Sequence, residues 1–126
     1  MTDDLVQFLR DRLDEDELTA KAADPGLGNL LSQVEYLDDE VQADERHIAR
    51  HDPARVLREV DAKRGMIEIH TVVGGFEDED MTDLGLGCSE CGYSAEYSDQ
   101  GGWCDTVRLL AVPYADHADY QQEWTP

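Results

Sequence analysis

Cys88, Cys91 and Cys104 are the only cysteines of this 126-residue chain, and all three fall in one short window. Two cysteines separated by two residues can place both sulfurs on one ion, because a tight turn brings the side chains to the same side, and a third thiolate then joins from a later element. The spacing therefore predicts a zinc knuckle over residues 88–104, in which Gly87 and Gly92 let the backbone turn closely and Trp103 shields the site from water. Sulfur-rich tetrahedral coordination selects Zn2+, whereas an iron–sulfur cluster usually takes a fourth cysteine that this chain does not have. An odd number of thiols is also a poor basis for a disulfide framework.

The fourth ligand is expected to be a histidine. His70 is the first choice, since it lies three residues after Ile67 on the buried side of a predicted helix and leads toward Cys88. His117, or the pair His47 and His51 at i,i+4, are the alternatives, ahead of water or a carboxylate. Two rivals compete with the metal. One is three unligated thiols in a small core, and the other is redox chemistry at Cys88 and Cys91. A redox pair normally opens a helix after a strand and has a lowered thiol pKa, which Glu90 is expected to oppose.

A shell closed by three thiolates and an imidazole cannot activate water, so the metal is expected to hold segments together and the protein is not expected to be an enzyme. The catalytic alternative is a zinc hydrolase with Cys88, Cys91, Cys104 and water as ligands and Glu90 or Glu96 as base. The His-x-Glu motif of the zinc deaminases is missing, since Thr71 and Val72 follow His70. There is no Ser/His/Asp order and no phosphate-cradling loop, and "GLG" at 26–28 and 85–87 is too short for a dinucleotide fingerprint.

The elements that must position these residues read as mainly helical. Leu5, Phe8, Leu9, Leu13 and Ala20 form one stripe of a first helix, with Thr2 as N-cap, Asp3 and Asp4 in its first turn, and a stop before Pro25, Gly26 and Gly28. Leu30 to Glu40 reads as a short strand or a loop. "HDP" predicts that one helix ends near His51 and that another starts at Pro53 under an Asp52 cap. That helix should bury Val56, Leu57, Val60 and Ile67 and pair Glu59 with Lys63, while Gly65 weakens it by about 1 kcal/mol. Residues 74–87 read as an exposed, acidic, glycine-rich loop whose acids do not match a calcium-loop pattern. After Cys104 a buried helix should end at Pro113, and Asp116 should cap a last turn from which Tyr120 and Trp124 pack back. The expected fold is a single domain over 1–126: a small, zinc-stapled, mainly α domain with at most a short β-hairpin at the metal knuckle.

Thirty acids against ten bases give a net charge of −20, unevenly spread. Residues 1–46 carry fourteen acids and four bases, residues 47–75 four acids and five bases, and residues 76–126 twelve acids and one base. Such a field repels phosphate backbones, so no direct nucleic-acid binding is expected, and a protein partner with a basic surface fits better; simple solubility is the plainer alternative. No window approaches the roughly 18 apolar residues of a membrane span, and the N-terminus lacks a secretion signal, so a cytoplasmic location is expected.

At "HIARHDPARVLREVDAKR", together with "CDTVRLLAVPYADHADYQQEW", the chain resembles a family of small actinobacterial and phage proteins of unknown function. The resemblance covers most of residues 3–23 and 46–126, and departs from the family pattern in the stretch 74–87 and at Ala118, where that pattern often has proline. It implies an actinobacterial or phage origin and supplies no function. The functional expectation is a zinc-stapled adaptor or regulator that binds another protein through its acidic surface. The alternatives are a nucleic-acid mimic that fills a basic channel, and the zinc hydrolase above.

Overall fold

A computed structural model describes residues 4–23 and 39–126. Its helices are α1 (Leu5–Ala22), α2 (Asp39–Arg50), α3 (Pro53–Ile69) and α4 (Asp105–Ala111). The strands β1 (Val72–Glu77), β2 (Asp83–Cys88) and β3 (Gly92–Tyr93) lie between α3 and α4, and 3-10 turns at Val112–Tyr114 and Gln122–Trp124 complete the chain. The described fold is thus four helices with a small antiparallel sheet ordered β1-β2-β3. No described helix is long and apolar enough to cross a membrane. By internal packing the chain divides into two compact units, one of Met1–Arg12 and Lys63–Pro126 and one of Leu13–Ala62.

In the smaller unit the "HDP" expectation holds. α2 ends at Arg50, α3 starts at Pro53, and the Asp52 carboxylate accepts the Arg55 N–H at 2.8 Å, as an N-cap should. Pro53, Val60, Leu13 and Ala20 are buried there. Val56 and Leu57, expected to be buried, are only half-buried. Glu59 pairs with Arg55 at 2.9 Å, one turn before it, instead of with Lys63. His47 and His51 face each other with ring centroids 4.7 Å apart.

In the larger unit α1 starts under Asp4, not Thr2. The Asp4 carboxylate accepts the N–H groups of Val6 at 2.8 Å and Gln7 at 3.3 Å, so it acts as the cap and not as a first-turn residue. Thr2 and Asp3, the residues Pro25, Gly26 and Gly28, and the stretch 30–38 lie outside the described residues, whereas Asp39 and Glu40 open α2. Leu5, Phe8 and Leu9 are buried as the stripe predicts. Phe8 lies in an aromatic group with Trp124, Tyr120 and Tyr114 at ring-centroid distances of 5.0, 6.1 and 6.3 Å. Tyr120 and Trp124 pack back as expected, 5.6 Å apart and both buried. The final turn, however, starts from Gln121 and not from an Asp116 cap.

Two features depart further from expectation. Residues 74–87 are not a loop. β1 and β2 pair Val72 with Cys88, Val73 with Gly87, Phe76 with Gly85 and Glu77 with Asp83. The turn between them is closed by Asp78, whose carboxylate accepts the N–H groups of Asp80 and Thr82, each at 2.9 Å. Glycine and aspartate are poor strand residues, but the sheet forms where β2 runs into the cysteine pair and β3 leaves it.

The second is Arg108, the only base in residues 76–126, which is 0% exposed. Its Nε donates to the Trp103 carbonyl at 2.9 Å, Nη1 to Glu123 at 2.9 Å and Nη2 to Gln100 at 3.2 Å, and its Cζ lies 3.9 Å from the Tyr97 ring centroid. Burial pushes its pKa down, but three carbonyl acceptors and an aromatic face satisfy the cation. α4 itself ends before Pro113, as expected, with Val107, Arg108 and Ala111 buried and Leu109 exposed.

Candidate metal centre

The knuckle is assembled from three places in the larger unit. Cys88 is the last residue of β2, and residues 89–91 turn the chain into β3, where Gly92 has φ +93, a conformation that side chains rarely adopt. Cys104 is the N-cap residue of α4, yet its side chain makes no cap hydrogen bond. His70 follows the last residue of α3, its N–H still donating to the Met66 carbonyl at 3.0 Å.

These elements bring all four predicted ligand residues together. The three sulfurs and a His70 ring nitrogen lie within 4.8 Å of one another, a group able to hold a metal ion. His70 Nδ1 is 3.4 Å from Cys88 Sγ, 3.5 Å from Cys91 Sγ and 3.7 Å from Cys104 Sγ. One nitrogen lone pair accepts one proton, so three equidistant sulfurs are not a hydrogen-bond arrangement. A tetrahedron with metal–sulfur bonds of about 2.3 Å and a metal–nitrogen bond of about 2.05 Å has N···S edges of about 3.6 Å, and the three distances bracket that value.

The thiols are tuned unequally. Burial pushes Cys88 up, but the N–H groups of Cys91 and Glu90, with His70 and Cys104, outweigh it and bring the thiol down to about 7. Glu90 thus acts on Cys88 through its N–H, 3.4 Å from the sulfur, and lowers the pKa that its carboxylate was expected to raise. Cys91, exposed at the residue level, is pushed up to about 11, first by desolvation around its sulfur and then by Cys88 and Cys104. Adjacent thiolates repel, and a divalent cation among them removes that penalty.

A model of a family of unknown function, DUF6221, matches residues 2–126. The chain belongs to that family. No curated protein and no solved structure matches it.

In this DUF6221 member the other fourth-ligand candidates are engaged elsewhere. His117 Nε2 contacts Arg12 Nη1, and its Nδ1 accepts the Asp119 N–H at 3.0 Å. His47 and His51 contact each other, their rings tilted by 48°, in the smaller unit. The cysteine pair sits in a strand-to-strand turn and not at a helix start, unlike a redox pair.

Ser89 escapes notice in the sequence. Its Oγ donates to the Ile69 carbonyl at 3.0 Å and lies 3.3 Å from the Thr71 N–H, which donates to it, while its own N–H donates to the Thr71 carbonyl at 2.8 Å. Both peptides flanking His70 are therefore held by a residue of the knuckle. The signal available was a hydroxyl side chain directly after the first cysteine, where it can reach main-chain groups. Trp103, expected to shield the site, is half-buried and lies over Gly101 in a cleft with Glu123 and Trp124.

Proposed function

We propose that the protein is a zinc-stapled interaction module that binds a protein partner with a basic surface, in a compartment that keeps thiols reduced. The observation that supports this reading is the convergence of His70, Cys88, Cys91 and Cys104, whose ligand atoms lie within 4.8 Å of one another. Three thiolates and an imidazole fill a tetrahedral zinc, leave no position for water, and favour a staple over a hydrolase. The staple joins the end of α3, the sheet and the start of α4, so metal affinity becomes folding energy for the larger unit.

The interaction half is supported by charge. The single base among the twelve acids of residues 76–126 is wholly buried, so no lysine or arginine faces solvent along that stretch. Such a surface attracts basic partners and repels nucleic acid.

Metal analysis and melting test the reading. About one zinc per chain is expected, with X-ray absorption showing three sulfurs at about 2.3 Å and one nitrogen at about 2.0–2.1 Å. A chelator should abolish cooperative melting of the larger unit. Protein without stoichiometric metal, or with a melting curve indifferent to chelator, would sink the proposal, and an oxygen scatterer in place of the nitrogen would revive the hydrolase.

A further inference from the structure

A cleft of about 280 Å³ opens beside the metal loop, lined by Asp99, Gln100, Gly101, Trp103, Glu123 and Trp124. Its size falls just below the roughly 300–1,000 Å³ of small-molecule sites, which suits one side chain better than a whole cofactor. We infer that this cleft seats a single basic side chain of the protein partner, its alkyl stem against the indoles and its cation between Asp99 and Glu123. The inference rests on the proposed interaction function and names where that contact is made.

Three observations converge. Asp99 and Glu123 are exposed, and neither carboxylate has an ion-pair partner among the described residues. Arg108, the only base in residues 76–126, is wholly buried, with its Nη groups turned to the carbonyls of Gln100 and Glu123. Asp105 and Glu96 act on that guanidinium, and the exposed carboxylates of Asp99 and Glu123 make the charge around the cleft negative.

The second observation is aromatic. Trp103 is half-buried and carries the accessible indole surface, while Trp124, 1% exposed, forms a closed wall. An aromatic face beside carboxylates is the combination that holds an organic cation, by cation–π attraction and charge together.

The third observation is rigidity. Arg108 ties together the carbonyls of Gln100, Trp103 and Glu123, from both sides of the cleft, so the frame is already in place before any partner arrives. Gly101, at φ +90, packs under Trp103 so closely that an added Cβ would lie 2.3 Å from the ring.

The test is an amide NMR titration of the zinc-loaded full chain with blocked Gly-Lys-Gly and Gly-Arg-Gly peptides. Blocked Gly-norleucine-Gly and free butylammonium serve as comparison probes. Saturable shifts concentrated at residues 99–103 and 121–124 are expected with at least one basic peptide. Asp99→Asn and Glu123→Gln should each weaken binding about two- to five-fold, the range of exposed ion pairs, while Glu79→Gln in the hairpin turn leaves it unchanged. Equal losses for Glu79→Gln, equal binding of the norleucine peptide, or shifts spread over every acidic segment overturn the inference. Butylammonium binding as tightly as the peptides overturns it too, in favour of a free amine. Zinc content measured on the same samples separates the two proposals: full zinc with a silent cleft leaves the staple standing, and zinc-free protein removes the staple first.

Discussion

Ser89 Oγ donates to the carbonyl of Ile69 at 3.0 Å, so the knuckle grips the end of α3 one residue before His70. The same oxygen accepts the Thr71 N–H, and His70 is thereby held from both flanks. Groups that orient a metal ligand typically carry 10–100-fold of metal affinity. Ser89→Ala should therefore weaken zinc binding by about 10-fold while leaving one zinc bound at saturation. Competition against a chromophoric chelator measures it, and an unchanged dissociation constant would show that the strand and helix position His70 unaided.

Among the described residues Arg108 is the one charged side chain that is fully buried. Arg108→Met removes the charge and leaves three carbonyls without their donor, at a cost on the order of 3–5 kcal/mol. Arg108→Lys should lose much of the same stability, because one ammonium cannot reproduce the planar fork that reaches Trp103, Gln100 and Glu123 together. Urea denaturation of the zinc-loaded proteins reads both; a lysine variant as stable as wild type would show that charge alone suffices.

Gly87 faces Cβ-excluding neighbours. An added methyl would meet the Gly92 carbonyl oxygen and Phe76 Cε2, each at 2.8 Å, and Tyr93 Cα at 2.9 Å. Two of these are backbone atoms of β3, across the sheet from the residue preceding Cys88. Gly87→Ala should destabilise by about 1–3 kcal/mol and weaken metal binding together, because the displaced backbone carries Cys88, a proposed ligand. Gly65→Ala is the contrast: nothing lies within 4 Å of its Cβ, and it should stabilise α3 by up to about 1 kcal/mol.

Tyr97 donates its hydroxyl to Asp105 at 2.7 Å. That bond, followed by desolvation and the negative charges of Asp105 and Glu96, holds the phenol above its usual value of 10.0. The neutral form is the one favoured in the folded chain. Its contribution is thus fully present below the unfolded pKa, near 10, and is lost as pH rises through the higher folded value. Phenolate absorbance should show one late-titrating tyrosine that Tyr97→Phe removes, and the alkaline fall in stability between those two values should flatten in the variant. A variant with the wild-type alkaline profile would place the late titration elsewhere.

The two early signals, cysteine spacing and "HDP", succeed for local reasons. A pair two residues apart needs only one turn to converge, and Asp before Pro caps a helix with atoms three residues away, as Asp52 does for Arg55. The stripe from Leu5 to Leu13 is equally local, because helical period alone decides which side chains share a face.

The remaining features required the tertiary structure. Residues 74–87 are rich in glycine and aspartate, and their strand character comes from cross-strand partners that composition does not display. Arginine is among the residues least often buried, so the wholly enclosed Arg108 depends on three carbonyls that only folding gathers. Likewise, residue type and spacing alone determined that three thiols could share an ion. Which histidine lies beside the thiols was decided by where α3 ends and how Ser89 holds that end against the knuckle, because bringing together residues 18 and 34 positions apart is the work of packing and not of local preference.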